Sequence, residues 1–346
     1  MKKMKTLLAA VLAGALSLSL AACSGPKAAE TTTQPTDQPT QEVFQGEDVR
    51  LAVLSGPTGI GAAKLLSGSD NGDTVNHYTY TVASDNNEVV AGLTAADGEY
   101  DIAMVASNVA ANLYNKTEGD VKILALGTQG VLHILEGSNG TAIQSMKDLK
   151  GKTIYATVQG ANPEYILRHL LTENGLDPDK DVEIVFADAT EISAKLISGE
   201  IETAMLPVPA ATAAIAQSKG SVRDAIDLTT AWNDLDNGSQ LIMSAVVARA
   251  DFLAEHPQAV DTFLEEYEAS VTYVKENPEE AGQLVADLGI APSAAIAQKA
   301  IPQCNLVFLS GEDMKPAISG YYEVLYSIDP TAVGGKLPDD DIYYVP

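Results

Sequence analysis

GEYDIAMVASNVAA (residues 98–111) and GEIETAMLPVPAAT (residues 199–212) are two versions of one stretch. They align without a gap, pairing Gly98 with Gly199, Glu99 with Glu200, Ala103 with Ala204, Met104 with Met205 and Ala110 with Ala211. Each reads as a turn, a short apolar strand and a loop that opens a helix. A βα unit written twice predicts two similar halves, each an α/β sheet whose strands end in ligand-facing loops.

The surrounding sequence keeps the same rhythm. Strand and helix patterns alternate over 49–54, 58–66, 77–83, 87–96 and 100–105, and again over 153–157, 163–174, 182–187, 191–197 and 203–206. Pro163 follows Asn162, a capping residue type, and Gly175 ends that helix. Two long apolar segments, VKILALGTQGVLHIL (121–135) and LIMSAVVA (241–248), are placed to carry the chain between the halves and back. They predict a first lobe of 48–128 plus 240–346 and a second lobe of 129–239. Beyond Asp251 the pattern is helical and has no glycine loop, which reads as packing.

The glycine-rich SGPTGIGAAK (55–64) follows the apolar run 51–54, as phosphate-binding loops follow strands. A P-loop needs Lys and Ser/Thr directly after its second glycine, but Ala62 and Ala63 stand there. The G-x-G-x-x-G fingerprint fails as well, because Lys64 occupies its third glycine position. The stretch is expected to cradle some other ligand.

The chain opens MKKMKTLLAAVLAGALSLSLAAC, with lysines 2, 3 and 5 before an apolar core and small residues before Cys23. That is a secretory signal, expected over 1–22. The Thr/Gln/Pro-rich stretch that follows is too poor in large apolar residues to fold, and residues 23–47 read as a flexible tether. The whole chain carries 47 Asp+Glu against 21 Lys+Arg, a net charge of −26. No basic patch is visible, so nucleic acid is excluded as a partner. The overall field opposes an anionic ligand, whose binding would have to come from local dipoles.

Chemistry is equally sparse. Four histidines are scattered without metal-ligand spacing. The run 177–181 imitates an EF-hand start, but Val182 replaces its glycine and Asp188 its glutamate. No nucleophile elbow is present. Cys304, in an apolar stretch, reads as a buried inert thiol. Neither an enzymatic activity nor a cofactor nor a metal is expected.

The residues Leu20-Ala21-Ala22-Cys23 resemble a bacterial lipobox. Together with LTAADGEYDIAMVASN (93–108), DLKGKTI (148–154) and DFLAEHPQAVDTFLEEY (251–267), the chain resembles the solute-binding lipoproteins of ABC importers. The group it is most similar to is the nitrate, sulfonate and taurine branch, which also includes binders of thiamine-pyrimidine precursors. The resemblance implies a two-lobed type II periplasmic-binding-protein fold, each lobe a mixed sheet flanked by helices, with a cleft between. It implies lipidation of Cys23, an extracytoplasmic monomer anchored to the membrane, and an ABC permease with its ATPase as partners. The implied solute is compact and sulfonate-, taurine- or nitrate-like. A neutral or aromatic vitamin precursor is the alternative, and a lipoprotein that reports a ligand to a signalling partner is a second kind of function.

Carried over by position, the family's ligand loops place Thr58, Gly59, Ser107, Asn108, Thr128, Gln129, Gln159, Gly160, Asn162 and Pro207 at the cleft. Thr58, Asn108 and Asn162 have a second reading as helix caps. Trp232, the only tryptophan, is either a stacking wall for the ligand or a core residue. Arg168, two turns into the helix after Asn162, reads as ion-paired.

Overall fold

The computed structural model describes residues 44–346 except Asp97. The signal, Cys23 and most of the tether lie outside the described residues. The last four residues expected in the tether are docked: Phe44 packs on the core, and the Glu47 N–H donates to Asn76 Oδ1 at 3.1 Å.

The chain runs β1 (Asp48–Leu54), α1 (Pro57–Ile60), α2 (Ala63–Asn71), β2 (His77–Ala83), α3 (Asn86–Thr94), β3 (Ile102–Ala106), α4 (Ser107–Lys116) and β4 (Val121–Gln129). It crosses at Gly130-Val131 into β5 (Leu132–Glu136), β6 (Thr153–Ala156), α5 (Asn162–Glu173), β7 (Glu183–Phe186), α6 (Ala189–Ser198), β8 (Thr203–Pro207), α7 (Ala210–Gln217), β9 (Arg223–Asp227) and α8 (Leu228–Asn233). It returns through β10 (Ile242–Arg249) and ends with α9 (Ala250–Glu255), α10 (Pro257–Glu276), α11 (Pro278–Asp287), α12 (Ala294–Ala300), β11 (Leu306–Ser310) and α13 (Met314–Ile328).

Two sheets result, in the orders β11-β4-β10-β3-β1-β2 and β7-β6-β8-β5-β9. In the first, β1 is parallel to β2 and β3, while β10 runs antiparallel to β3 and β4. In the second, β6 is parallel to β7 and β8, while β5 runs antiparallel to β8 and β9. The repeated phrase supplies β3 and β8, which hold the same place: each lies between the first parallel strand of its sheet and an antiparallel neighbour.

Local chemistry explains the elements next to the site. The α5 helix has Pro163 in its first turn, where a missing N–H costs nothing, and buries Tyr165, Ile166, Leu167, Leu170 and Leu171 along one stripe. Gly175, at φ 81°, then turns the chain away. Helix α3 is capped by Asp85, whose carboxylate accepts from the N–H groups of Asn87 and Glu88. Helix α13 buries Ala317, Ile318, Tyr321, Tyr322 and Leu325 at helical spacing. Its face belongs to an apolar core that continues from Ala52 and Val105 on the first sheet through Trp232 and Leu241 to Ile154 on the second sheet and Leu167 on α5.

The expected helix over 58–66 is in fact two, broken at Gly61-Ala62, where Gly61 lies against Val271 and Tyr267. The terminal region is not helical throughout, since β11 adds an edge strand to the first sheet. Cys304 is fully buried, and burial pushes its thiol up to about 12.

Candidate functional site

Strand β3 leads into α4 and β6 into α5, and the first residues of these two helices meet. Ser107 is the first residue of α4 and is completely buried. Its hydroxyl donates to the Ile242 carbonyl at 2.7 Å, and its carbonyl accepts from the Tyr322 hydroxyl at 2.9 Å. Asn162 is the first residue of α5, is 3% exposed, and its Nδ2 reaches Ser107 Oγ at 3.4 Å. The Ser107 proton is committed to Ile242, so Oγ is an acceptor here, and this fixes which end of the Asn162 amide faces it. Asn162 Oδ1 and, five residues earlier in the chain, Thr157 Oγ1 are left buried with no partner. A buried, unmet acceptor costs about 1–3 kcal/mol, so it marks a place where a partner is wanted.

The caps expected from side chains are not formed. Ala161 and Ala106 occupy the N-cap positions of α5 and α4, and Gly56 that of α1. Asn162 is therefore one residue inside its helix and reaches across to Ser107. Around Ala106 the capping role passes to Asn86, whose Oδ1 accepts from the Ala106 N–H at 2.9 Å. The side chains of Thr58, Asn108 and Gln159 make no hydrogen bond among the described residues; Thr58 is half-buried, Asn108 buried and Gln159 exposed.

The loop 157–161 is shaped by its own contacts. Gly160 takes φ 72° and Val158, β-branched and exposed, takes φ 57°, a region such residues rarely enter. The Gly160 N–H donates to Glu164 Oε2 at 2.7 Å, and the Gly160 carbonyl accepts from the Tyr165 hydroxyl at 3.2 Å. Glu164 Oε1 pairs with Arg168 Nε at 2.8 Å, and Arg168 Nη1 with Asp179 Oδ1 at 2.8 Å.

The other expected residues are occupied elsewhere. Thr128 Oγ1 donates to Ser244 Oγ at 2.7 Å, tying β4 to β10. The Gln129 amide donates to Gln240 Oε1 at 3.2 Å, and its backbone N–H to the Asn305 carbonyl at 3.0 Å, so Gln129 steadies the crossover. Pro207 ends β8, paired with Leu132. Gly59 is buried, and an added Cβ would fall on the Leu54 carbonyl and the Val53 side chain. Its reading as a ligand contact therefore gives way to a packing one. Gly59→Ala is expected to cost about 2 kcal/mol by overpacking, readable as a lowered urea midpoint with unchanged slope.

Trp232 is 1% exposed, which removes it as an open stacking wall. Its Nε1 donates to Ser239 Oγ at 2.9 Å, and its ring meets His169 at 4.8 Å and, edge-on, Tyr321 at 5.5 Å between centroids. Burial lowers the His169 pKa from its ordinary 6.5, against a smaller raising effect of Glu173. His169 is thus held neutral in the folded protein. Its contribution is present above pH 6.5 and lost as pH falls through the depressed folded value. The thermal midpoint is expected to fall between pH 7 and 5 by more in the wild type than in His169→Phe. His133 acts in the opposite sense: burial disfavours its charge, but the bond to Asp224 and the nearby charges outweigh this and raise its pKa. Comparing each variant with wild type at the same pH separates the two.

Sequence reasoning missed Thr157, Glu164 and Tyr322. Thr157 directly follows a strand, which was a usable signal; the other two depend on contacts distant from any motif.

Against known proteins, residues 82–281 match the family described as NMT1/THI5 like, more than half of the chain and inclusive of both helix starts at the junction. The chain belongs to the NMT1/THI5-like family. A candidate binding protein of Brucella abortus is 28% identical over 174 residues, 50% of this chain and 51% of that protein. The match thus spans about half the length of the curated relatives. An ABC-transporter protein from Parabacteroides distasonis is 25% identical, with a TM-score of 0.71 over 86% of this chain and 98% of that one. The periplasmic aliphatic sulphonate binding protein of Escherichia coli is 16% identical, with a TM-score of 0.68 over 86% and 92%. The NMT1/THI5-like chain therefore has the two-lobed α/β fold of periplasmic binding proteins.

Proposed function

We propose that this protein is an extracytoplasmic receptor that captures a small solute between its two sheets and hands it to an ABC permease and its ATPase. The single observation that carries this is the meeting of α4 and α5, one from each sheet, with buried unpartnered polar atoms at Thr157 and Asn162. Residues 48–128 plus 240–346 form one lobe and 129–239 the other, and their approach closes over the solute. Ser107, Asn108, Gln159, Gly160 and Asn162 are the candidate contacts. No reaction is performed on the bound molecule, and the receptor acts as a monomer.

Of the two solute classes, the compact anion is the kind bound by the Escherichia coli neighbour. The charge distribution at α5 favours an uncharged compound instead. Among the described residues no helix is long and apolar enough to cross a membrane. Membrane attachment is assigned to lipid on Cys23. Cys23→Ala should move the protein from the membrane fraction to the soluble extracytoplasmic fraction and abolish incorporation of labelled palmitate.

Binding is tested by equilibrating the purified full chain with a metabolite extract, washing, denaturing and identifying the released compounds by mass spectrometry. One solute released near one per chain is expected. A chain that releases none, at any extract concentration, is not a solute receptor.

A further inference from the structure

Several of the donors that would hold an anion at the start of α5 are absent or already spent. Pro163 has no N–H. The N–H groups of Glu164 and Tyr165 both turn back to the Ala161 carbonyl, at 3.0 and 3.3 Å. The Gly160 N–H is taken by the Glu164 carboxylate. What the helix start presents is an acceptor, Asn162 Oδ1, and the loop leading to it carries a hydroxyl, Thr157 Oγ1, both buried and unmatched. The start of α3 is likewise closed by the Asp85 carboxylate.

A cation fares no better. Glu164 is the buried carboxylate of this corner, and both its oxygens are used, one by Gly160 and one by Arg168. The positive ends of the α4 and α5 dipoles meet here and oppose a second positive charge. A cation would be buried without a counter-charge, and an anion, though drawn by those dipole ends, would meet the Asn162 oxygen and the Glu164 carboxylate. An uncharged N–H or O–H meets the unpaired acceptor without that penalty.

Building on the reading of this junction as a solute site, we propose that the solute is an uncharged molecule that donates an N–H or O–H to Asn162 Oδ1, with Thr157 Oγ1 as a second partner. Asn162 is then the residue that selects the solute by charge: an alkanesulfonate, which offers only acceptors, would set its oxygens against Oδ1 and the Glu164 carboxylate.

The test is a melting measurement on the full chain with three portions of one metabolite extract, separated on ion-exchange resins into anionic, cationic and uncharged compounds. The uncharged portion is expected to raise the melting temperature by several degrees and the other two to leave it unchanged. In Asn162→Ala the concentration of that portion needed for half the shift should rise about tenfold or more, as loss of a buried hydrogen bond implies. Thr157→Val, nearly isosteric, gives the same readout in smaller measure should Asn162→Ala fold poorly. A shift produced by the anionic or cationic portion overturns the charge assignment and leaves solute binding standing. No shift from any portion overturns solute binding itself.

Discussion

Replacing Trp232 with alanine is expected to destabilise the protein by about 3–5 kcal/mol, the range for removing a large buried aromatic side chain. The indole is enclosed, stacked at an angle on His169 of α5 and met edge-on by Tyr321 of α13. It thus connects helices associated with the two sheets, and its removal opens a cavity where they share a core. Ser239 Oγ also loses the indole N–H, although it keeps its bond to Asn237 Oδ1 at 2.7 Å. In a chain of this size the melting temperature should fall by roughly 5–8 °C. Trp232→Phe keeps much of the packing and should lose far less. A fall of only a degree or two in Trp232→Ala would mean that the two halves do not lean on each other there.

Glu136→Ala is expected to cost about 2–4 kcal/mol, because it strips several groups at once. The carboxylate is 5% exposed, accepts from the N–H groups of Ala142 and Ile143 at 3.1 and 3.3 Å, and pairs with Arg223 Nη2 at 2.5 Å. Arg223 in turn donates to the carbonyls of Gly140 and Ile143. The cluster closes the loop leaving β5 onto β9, so its loss loosens the second sheet. Arg223 is partly exposed, which lets water compensate and places the effect below that of a fully buried pair. Glu136→Gln should recover about half of the loss by keeping the backbone bonds. Amide exchange should speed up in β5 and β9 while the first sheet stays protected; uniform acceleration in both sheets would show that the cluster does not act locally.

The repeated phrase around Ala103 and Ala204 was enough to place two similar α/β sheets, because strand ends, glycine turns and apolar runs are written locally, whereas a parallel-rich pairing was overturned by the antiparallel strands β10, β11 and β5. What failed was whatever depended on a distant partner. Asn162 has the composition of a cap, yet Ala161 takes that position and Asn162 reaches Ser107, 55 residues away in sequence. Gly59 has the look of a phosphate-loop glycine, yet its missing Cβ makes room for the Leu54 carbonyl. Strand β11 lies in an apolar run too short to announce itself, and it forms because the edge of β4 is there to receive it. Tyr322 belongs to a terminal helix that reads as packing, but its hydroxyl holds the first residue of α4. At the candidate site the distribution of charge around α5 was not readable, since it depends on which N–H groups are already spent.

The most direct measurement is hydrogen exchange on the full chain with and without a saturating metabolite extract. Capture between the two sheets predicts slowed exchange at both helix starts together, in peptides covering 105–110 and 157–166, with β7 and α11 unchanged. Protection of one helix start alone, or no protection at either, would contradict a solute site shared by the two halves.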